Sequence, residues 1–251
     1  MIVHSELPTL HDVTLVAVTS VAVEATVNAI VASIEQVNFA EALLLSDRKP
    51  TSLDCRIAWR PIEQLSSRAE YSNFMLRKLA DHIQTSHALC IQWDGFVIDG
   101  TAWQSAFLDY DYIGAPWPHF RDAYNVGNGG FSLRSRKLLC ACANMPLDGE
   151  SPEDVVISRV WRPQLEEMGI RFAPESLARQ FAYERMSPSG KEFGFHGVYN
   201  LVSQVRTREA TRILASLEPE MLARNERWEI LRWALRSGKL IAALNMVGRL
   251  V

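Results

Sequence analysis

The first hundred residues carry long apolar runs separated by helical periodicity. VTLVAVTS (13–20) is continuous and valine-rich, the pattern of a strand buried on both faces. Val23, Val27, Ile30, Val31, Ile34 and Val37 then recur at helical spacing. EALLLSD (41–47) is a second buried strand that ends in polar residues. This strand–helix–strand order predicts a parallel pair with a right-handed crossover. CRIAWRPI (55–62) is a third, shorter strand. SRAEYSNFMLRKLADHIQ (67–84) predicts a helix with Tyr71, Met75, Leu79 and Ile83 on one stripe. HALCIQWDG (87–95) is a fourth strand, closing at Asp94-Gly95.

Beyond residue 100 the pattern loosens. YDYIGAPWP (110–118) is short, aromatic and closed by prolines, and GGFSLRS (129–135) reads as a further strand with alternating apolar and polar positions. SPEDVVISRVWRPQLEEMG (151–169) opens like a helix: Ser151 can cap, Pro152 sits in the first turn, and Glu153 and Asp154 suit the positive end of the dipole. Pro163 should break or kink it, Gly169 closes it, and IRFAP (170–174) is a short strand. KEFGFHGVYN (191–200) has no helical period. From about 203 the texture is helical again: Ala210, Ile213, Leu214 and Leu217 form one stripe, Trp228, Leu231 and Leu235 a second, and KLIAALNMVGRL (239–250) a third helix. The whole predicts an α/β domain with a mixed, mainly parallel central sheet flanked by helices, followed by a helical tail.

Composition changes this picture little. A 251-residue chain that is 48% hydrophobic suits one such domain with a small appendage, and a net charge of -3 gives no basic excess for nucleic acid. No apolar run is long enough to span a membrane, and the first residues do not read as a signal peptide, so a cytoplasmic setting is expected. Cys55, Cys90, Cys140 and Cys142 form no CxxC pair and read as buried free thiols.

Candidate chemistry follows from where strands end. In an open α/β sheet, ligands bind beyond the carboxyl ends of the parallel strands. Thr19 and Ser20 end the first strand, Asp47 the second and Asp94 the fourth, so all four share one rim. Asp109-Tyr110-Asp111 looks like a metal pair, but it precedes its strand and falls at the opposite edge, as a solvated strand entry. Glu153 and Asp154 need no purpose beyond the helix dipole, yet either could be a general base. His196, in FGFHG, is a structural residue or a late metal ligand. The loop NVGNGGFSLRS (125–135) precedes a strand and opens no helix, which argues against a phosphate cradle. Asn128-Gly129 could be a tight turn. The surplus glycines suggest a ligand lying against bare backbone.

QWDGFV (92–97), YDYIGAPW (110–117), VGNGGFSLRS (126–135), EDV (153–155) and FGFHG (193–197) occur in this order. Together they resemble a bacterial and fungal family, a glycosyltransferase-like domain of unknown function. The resemblance covers about residues 12–200. It implies a GT-A-like, Rossmann-like fold: residues 1–200 as a transferase domain, with a nucleotide-binding half (about 12–100) and an acceptor half (about 101–200), and 201–251 as a C-terminal helical extension. It implies an inverting, metal-dependent transfer of a sugar from a nucleotide-sugar donor, UDP-linked by preference, to a glycan or glycolipid acceptor. Surface polysaccharide or lipopolysaccharide synthesis is the implied setting. Asp94 and His196 would hold Mn²⁺ or Mg²⁺, although Gln92 stands where such motifs carry their first acid. Asp154 would be the base, with Glu153 as alternate. Thr19, Ser20, Asp47, Gln92, Trp93 and Asp94 would face the donor, and Asn128, Gly129, Gly130 and Trp117 the sugar and acceptor. The alternatives are an inactive nucleotide-sugar-binding or assembly module on the same fold, and a metal-dependent phosphoesterase or nucleotidyltransferase. The tail's Arg232, Arg236, Lys239 and Arg249 lie near apolar residues. They suit packing on the domain or on a second copy, or peripheral contact with the inner membrane face.

Overall fold

A computed structural model describes residues 6–146, 151–205 and 224–236. They fall into two compact units, one ending at His196 and one beginning at Gly197.

The first unit is built on a six-stranded sheet in the order β3-β2-β1-β4-β6-β5. β1 (Thr9–Thr19), β2 (Asn38–Ser46), β3 (Ile57–Pro61) and β4 (His87–Ile91) are mutually parallel, as the apolar runs predict. β1 begins four residues earlier than its apolar run, and its register with β2 slips between Leu10 and Thr14. β5 (Tyr112–Gly114) and β6 (Phe131–Ser135) complete the sheet, with β6 antiparallel to both β4 and β5.

The unbroken apolar runs have a direct cause. Successive strand residues point to opposite faces, and both faces are covered here. Leu15, Ala17, Leu44, Leu89 and Ile91 pack on one side with Val23, Val27, Ile30 and Ile34 of helix α1 (Val23–Ile34). Val16, Val18, Leu43, Leu45 and Cys90 pack on the other with Phe74, Met75, Leu79 and Ile83. Truncating one of these, such as Leu44→Ala, would cost about 2–5 kcal/mol.

The helix expected over 67–84 is two pieces, α2 (Arg68–Arg77) and α3 (Leu79–His82), joined at Lys78. Ser67 caps α2 by accepting from Glu70 N. Ser135 likewise caps α4 (Arg136–Asn144), a helix the hydrophobic pattern did not announce, by accepting from Leu138 N. Ser151 makes no such cap. α5 (Glu153–Val155) has Pro152 at its start, continues into a wide turn closed by Trp161 N–H donating to Val156 O (2.8 Å), and is followed by α6 (Arg162–Glu167), which has Pro163 in its first turn. The 170–174 stretch is no strand of its own and only bridges Phe172 to Tyr112. After α7 (Glu175–Phe181), a two-stranded parallel sheet pairs β7 (Ala182–Tyr183) with β8 (Gly194–Phe195). Cys90 and Cys142 are buried as expected, but Cys55 and Cys140 are exposed.

In the second unit, α8 (Val198–Gln204) buries Val198, Leu201 and Val202. α9 (Arg224–Arg236) packs on α8 and buries Ile230, Leu231 and Ala234. Of the stripe read from sequence, Leu231 is inside, whereas Trp228 and Leu235 are exposed. The stripe at 210–217 and the helix at 239–250 lie outside the described residues. No helix among the described residues is long and apolar enough to cross a membrane.

Candidate active site

The chain leaves β1 for β2 and β3 on one side, then returns to place β4 on the other. The crevice beyond the carboxyl ends of β1 and β4 is therefore the switch point where open α/β sheets bind ligands. Thr19 and Ser20 lie there, but both hydroxyls serve the chain itself. Thr19 Oγ1 closes a turn with the backbone of Val21, and Ser20 Oγ accepts from Leu65 N (2.8 Å). Asp47, past β2, keeps a buried Oδ1 with no hydrogen-bond partner. Gln92, Trp93 and Asp94 follow β4 as a turn, with Asp94 buried and Trp93 half-buried.

The glycine loop reaches the same rim because β6 runs backwards. Phe131, its first residue, pairs with Ile91, the last of β4. The space above these glycines is filled by protein. A Cβ on Gly127 would overlap the Trp117 ring, one on Gly129 would meet Glu153, Arg134 and Asp154, and one on Gly130 would overlap the His196 imidazole. The sequence reading of bare backbone open to a sugar is thus corrected, since the glycines admit side chains from elsewhere in the chain. The hairpin reading fails as well, because residues 115–130 form one long connection between β5 and β6. Asn128 does adopt a left-handed backbone (φ 24°), but it is buried, and its amide works internally. Its Oδ1 accepts from Phe131 N (3.2 Å) and its Nδ2 lies 3.0 Å from His196 Nδ1. Trp117, also buried, lies against Gly127. Neither is presented to a ligand.

On one side of Gly129-Gly130 sits the acidic pair. Glu153 is buried, and its Oε1 takes a hydrogen bond from Arg134 NH2 at 3.0 Å. Arg134 is fully buried; its Nε donates to Ser132 Oγ (2.9 Å) and its NH2 also to Gly129 O (3.2 Å). Asp154 keeps some exposure. Its Oδ2 accepts from Gly129 N (2.9 Å) and its Oδ1 from Val155 N (2.8 Å). Burial, and then the Glu153 charge, push its pKa up to about 6. A carboxylate poised there, at an accessible position, can act as a base near neutral pH. Glu153, held by Arg134, is the weaker candidate.

On the other side sits His196. Its Nε2 lies 3.3 Å from Asp94 Oδ1 and 3.2 Å from Gln92 Oε1, and its Nδ1 lies 3.4 Å from Glu184 Oε1. Gln92 is oriented in turn by donating to Tyr71 Oη (3.0 Å). Burial alone would lower the His196 pKa, but Asp94 and Glu184 outweigh it and hold the imidazole protonated well above its usual range. The same contact holds the Glu184 carboxyl below its usual range against the opposing effect of burial.

Among the described residues, no group of three or more His, Cys, Asp or Glu side chains is arranged to hold a metal ion. A smaller donor set is present. Asp94 Oδ1 is buried and faces His196 Nε2 at 3.3 Å; only once that imidazole loses its proton would the two, with Gln92 Oε1, make a partial set of the oxygen and nitrogen donors that Mn²⁺ or Mg²⁺ accepts. Such ions complete their shell with water and phosphate oxygens. The described residues do not make an all-protein cage for a cation.

Sequence reading missed Arg134, Glu184 and Tyr71. Arg134 stands at a polar position of an alternating strand, which does not reveal its burial. Glu184 follows a two-residue strand too short to register. Asp111 lies at the far edge, as expected, but it is no solvated entry: its Oδ1 accepts from Ser135 Oγ (2.5 Å) and its Oδ2 from Arg171 N (2.8 Å).

Residues 55–196, more than half of the chain, match the model of a family described as "Protein of unknown function (DUF5672)". No curated protein matches the chain. Two of the solved structures that resemble it are each 11% identical to it. One is a glycosyltransferase involved in the glycosylation of the major capsid of PBCV-1, with a TM-score of 0.47 over 84% of this chain and 99% of that one. The other is the mannosyltransferase PcManGT from Pyrobaculum calidifontis in complex with GDP-Man and Mn²⁺, with a TM-score of 0.46 over 98% of this chain and 74% of that one. Likeness at this level carries no inference about the site.

Proposed function

The chain belongs to the DUF5672 family of proteins of unknown function, and we propose that it is a glycosyltransferase that moves a sugar from a nucleotide-sugar donor to a hydroxyl acceptor with inversion. One observation carries this reading: Gly129 and Gly130 place the elevated carboxylate of Asp154 on one side of the loop and the Asp94–His196 couple on the other.

The donor would lie across the switch point, with the orphaned oxygen of Asp47 on the nucleotide side. Asp154 would take the proton of the acceptor hydroxyl as its oxygen attacks the anomeric carbon, opposite the departing diphosphate. Asp94 and His196, with Gln92, would hold Mn²⁺ or Mg²⁺, which offsets charge on the leaving group when bound. The burial of Asn128 and Trp117 removes them from the acceptor wall. A UDP-sugar donor, a glycan or glycolipid acceptor and a cytoplasmic setting, with the tail on the membrane's inner face or on a second copy, complete the reading by analogy with the sequence resemblance.

A second reading is a donor-binding or assembly module without transfer. Gln92 favours it, since a neutral amide fills the place of an acid and is tied between Tyr71 and His196.

Titrating the protein with UDP, GDP, CMP and their sugars, with and without Mn²⁺, tests the proposal through thermal stability. A ligand at 100 times its Kd should add about 2.7 kcal/mol. Metal-dependent stabilisation by one nucleoside diphosphate, with transfer to an acceptor, is expected. Stabilisation without transfer selects the second reading, and no response to any nucleotide sinks both.

A further inference from the structure

The two segments that carry Asp94 and His196 meet again farther along the chain. Val97 bridges to Gly194, and Ile98 N–H donates to Phe193 O (3.0 Å), so the chain after Asp94 runs alongside the chain before His196. Past that ribbon, Asp99 and Trp103 on one segment and Lys191 on the other line a cavity of about 480 Å³, to which no residue of the rim contributes. Small-ligand sites run from ~300 to ~1,000 Å³. Five residues of chain span at most ~18 Å, so Asp99 stands no farther than that from Asp94. The walls are held from within. Trp103 meets Phe107 (ring centroids 5.3 Å apart) and Phe193 (5.1 Å) at interplanar angles of 84° and 65°, and both phenylalanines are fully buried. The buried Glu192 carboxylate accepts from three successive backbone N–H groups, those of Ser189, Gly190 (3.0 Å) and Lys191 (3.0 Å), which fixes the loop that forms another wall.

We propose that this cavity binds an uncharged saccharide, a distal sugar unit of the acceptor glycan. The acceptor role rests on the transferase reading; the binding of a saccharide does not. A pyranose presents an apolar C–H face and a rim of hydroxyls that both donate and accept. The indole of Trp103 supplies an apolar surface with a polar edge. Gln104 Nε2 donates to Gln180 Oε1 (2.8 Å) and Gln180 Nε2 to Ser176 O (3.0 Å), so the two amides are oriented by one another and by α7. Among the described residues nothing donates to Gln104 Oε1. Asp99 Oδ1 accepts from Thr101 N (2.9 Å) and Thr101 Oγ1 (2.6 Å), which leaves Oδ2 uncommitted, and Lys191 has no ion pair among the described residues. Donors and acceptors are thus both on offer, as hydroxyls require. One carboxylate against one ammonium leaves no net charge to hold an anion, and no arginine fork lines the cavity to grip a phosphate.

The test is a nitrogen–proton correlation spectrum of the full-length protein, titrated with chitohexaose, cellohexaose, maltohexaose, mannohexaose and inorganic phosphate. The Trp103 indole N–H is assigned by its loss in Trp103→Phe. It should shift with at least one hexasaccharide and not with phosphate. Trp103→Ala should weaken that binding about 30-fold. Gln104→Ala and Gln180→Ala, which remove no core packing, should each weaken it about 2–12-fold and leave affinity for UDP or GDP unchanged. In transfer assays Gln104→Ala should raise the acceptor KM by its own binding factor and hold kcat. No shift of the Trp103 signal with any hexasaccharide overturns the site, as does unchanged affinity in both folded glutamine variants. A shift with phosphate alone overturns the ligand class. Saccharide binding at Trp103 with an unmoved acceptor KM in Gln104→Ala overturns the acceptor role. Saccharide binding at Trp103 by a protein that takes no nucleotide-sugar supports the site while refuting the transferase reading.

Discussion

The two flanks of Gly129-Gly130 share one arrangement and differ in one atom type. On each, a single cationic side chain acts on two carboxylates: Arg134 pairs with Glu153 and reaches Asp154 only through its charge, and His196 lies between Asp94 and Glu184. The guanidinium of Arg134 stays charged, has no lone pair to offer and is fully buried. It can organise its carboxylates but cannot change state. The imidazole can lose a proton and expose a lone pair. Two clusters of similar charge are therefore suited to different work: one holds a permanent charge, and the other can change its protonation state. The glycines between them matter because a side chain at either position would enter one cluster.

The largest effect expected of this division falls on Asp154. Asp154→Asn keeps the shape and removes the proton acceptor, so transfer should fall about 10²–10⁴-fold while Mn²⁺-dependent donor binding persists. Transfer surviving in the variant would place the base elsewhere. The pH profile makes the same point in wild type. A base must be ionised, so with a pKa near 6 the rate should hold above that value and fall as the pH drops through it. The Glu153 charge helps to raise that pKa, so Glu153→Gln should move the acid limb to lower pH. An unmoved limb would separate Glu153 from the base.

The permanence of the Arg134 cluster predicts a large cost in stability. Removing one partner of a buried ion pair strands the other, so Arg134→Met should lose about 3–5 kcal/mol in denaturant unfolding. Arg134→Met with Glu153→Gln should recover part of that loss. A double variant no better than the single would mean that Arg134 acts mainly through Ser132 and Gly129.

A smaller effect separates the flanks directly. Gly130→Ala drives a methyl into the His196 ring, whereas Gly129→Ala strikes Glu153 and Asp154. Each should cost about 1–3 kcal/mol as overpacking. Only Gly130→Ala should weaken Mn²⁺ binding, and Gly129→Ala should depress transfer at saturating metal. Equal losses of metal binding from both would show that the flanks are not independent.

The flanks also explain what could be read before the structure. β1, β2 and β4 were legible because both of their faces are apolar, which leaves no ambiguity of orientation. Asp94 was legible because a buried strand delivers it to a rim whose direction follows from parallel pairing. The antiparallel β6 was not legible as such: its alternation of Phe131 and Leu133 with Ser132 and Arg134 marks a strand but not its direction, nor that Arg134 is buried against Glu153. Polar alternation cannot distinguish solvent from an ionic cluster. The glycines were noticed, but their purpose was misread, because sequence shows the missing Cβ and not what fills its place. Glu184 gave no signal, since its position depends on a ladder of only two residues.

Asp111 supplies the smallest expected effect on function and a control for the whole comparison. By motif alone, Asp109-Tyr110-Asp111 is a stronger metal signal than Gln92-Trp93-Asp94. Strand direction reverses that order. Tyr112 pairs with Arg134, which pairs on its other side with Ala88 near the start of β4, so Asp111 lies at the amino edge, away from the Asp94 rim. There its carboxylate joins β6 to the 171 segment through Ser135 Oγ and Arg171 N. Asp111→Ala should therefore cost about 1–3 kcal/mol of stability through lost hydrogen bonds and leave Mn²⁺ affinity and transfer per folded molecule unchanged. Loss of metal binding in Asp111→Ala, with Asp94→Asn unaffected, would move the catalytic rim to the opposite edge of the sheet, and the two flanks of Gly129-Gly130 would then be structural alone.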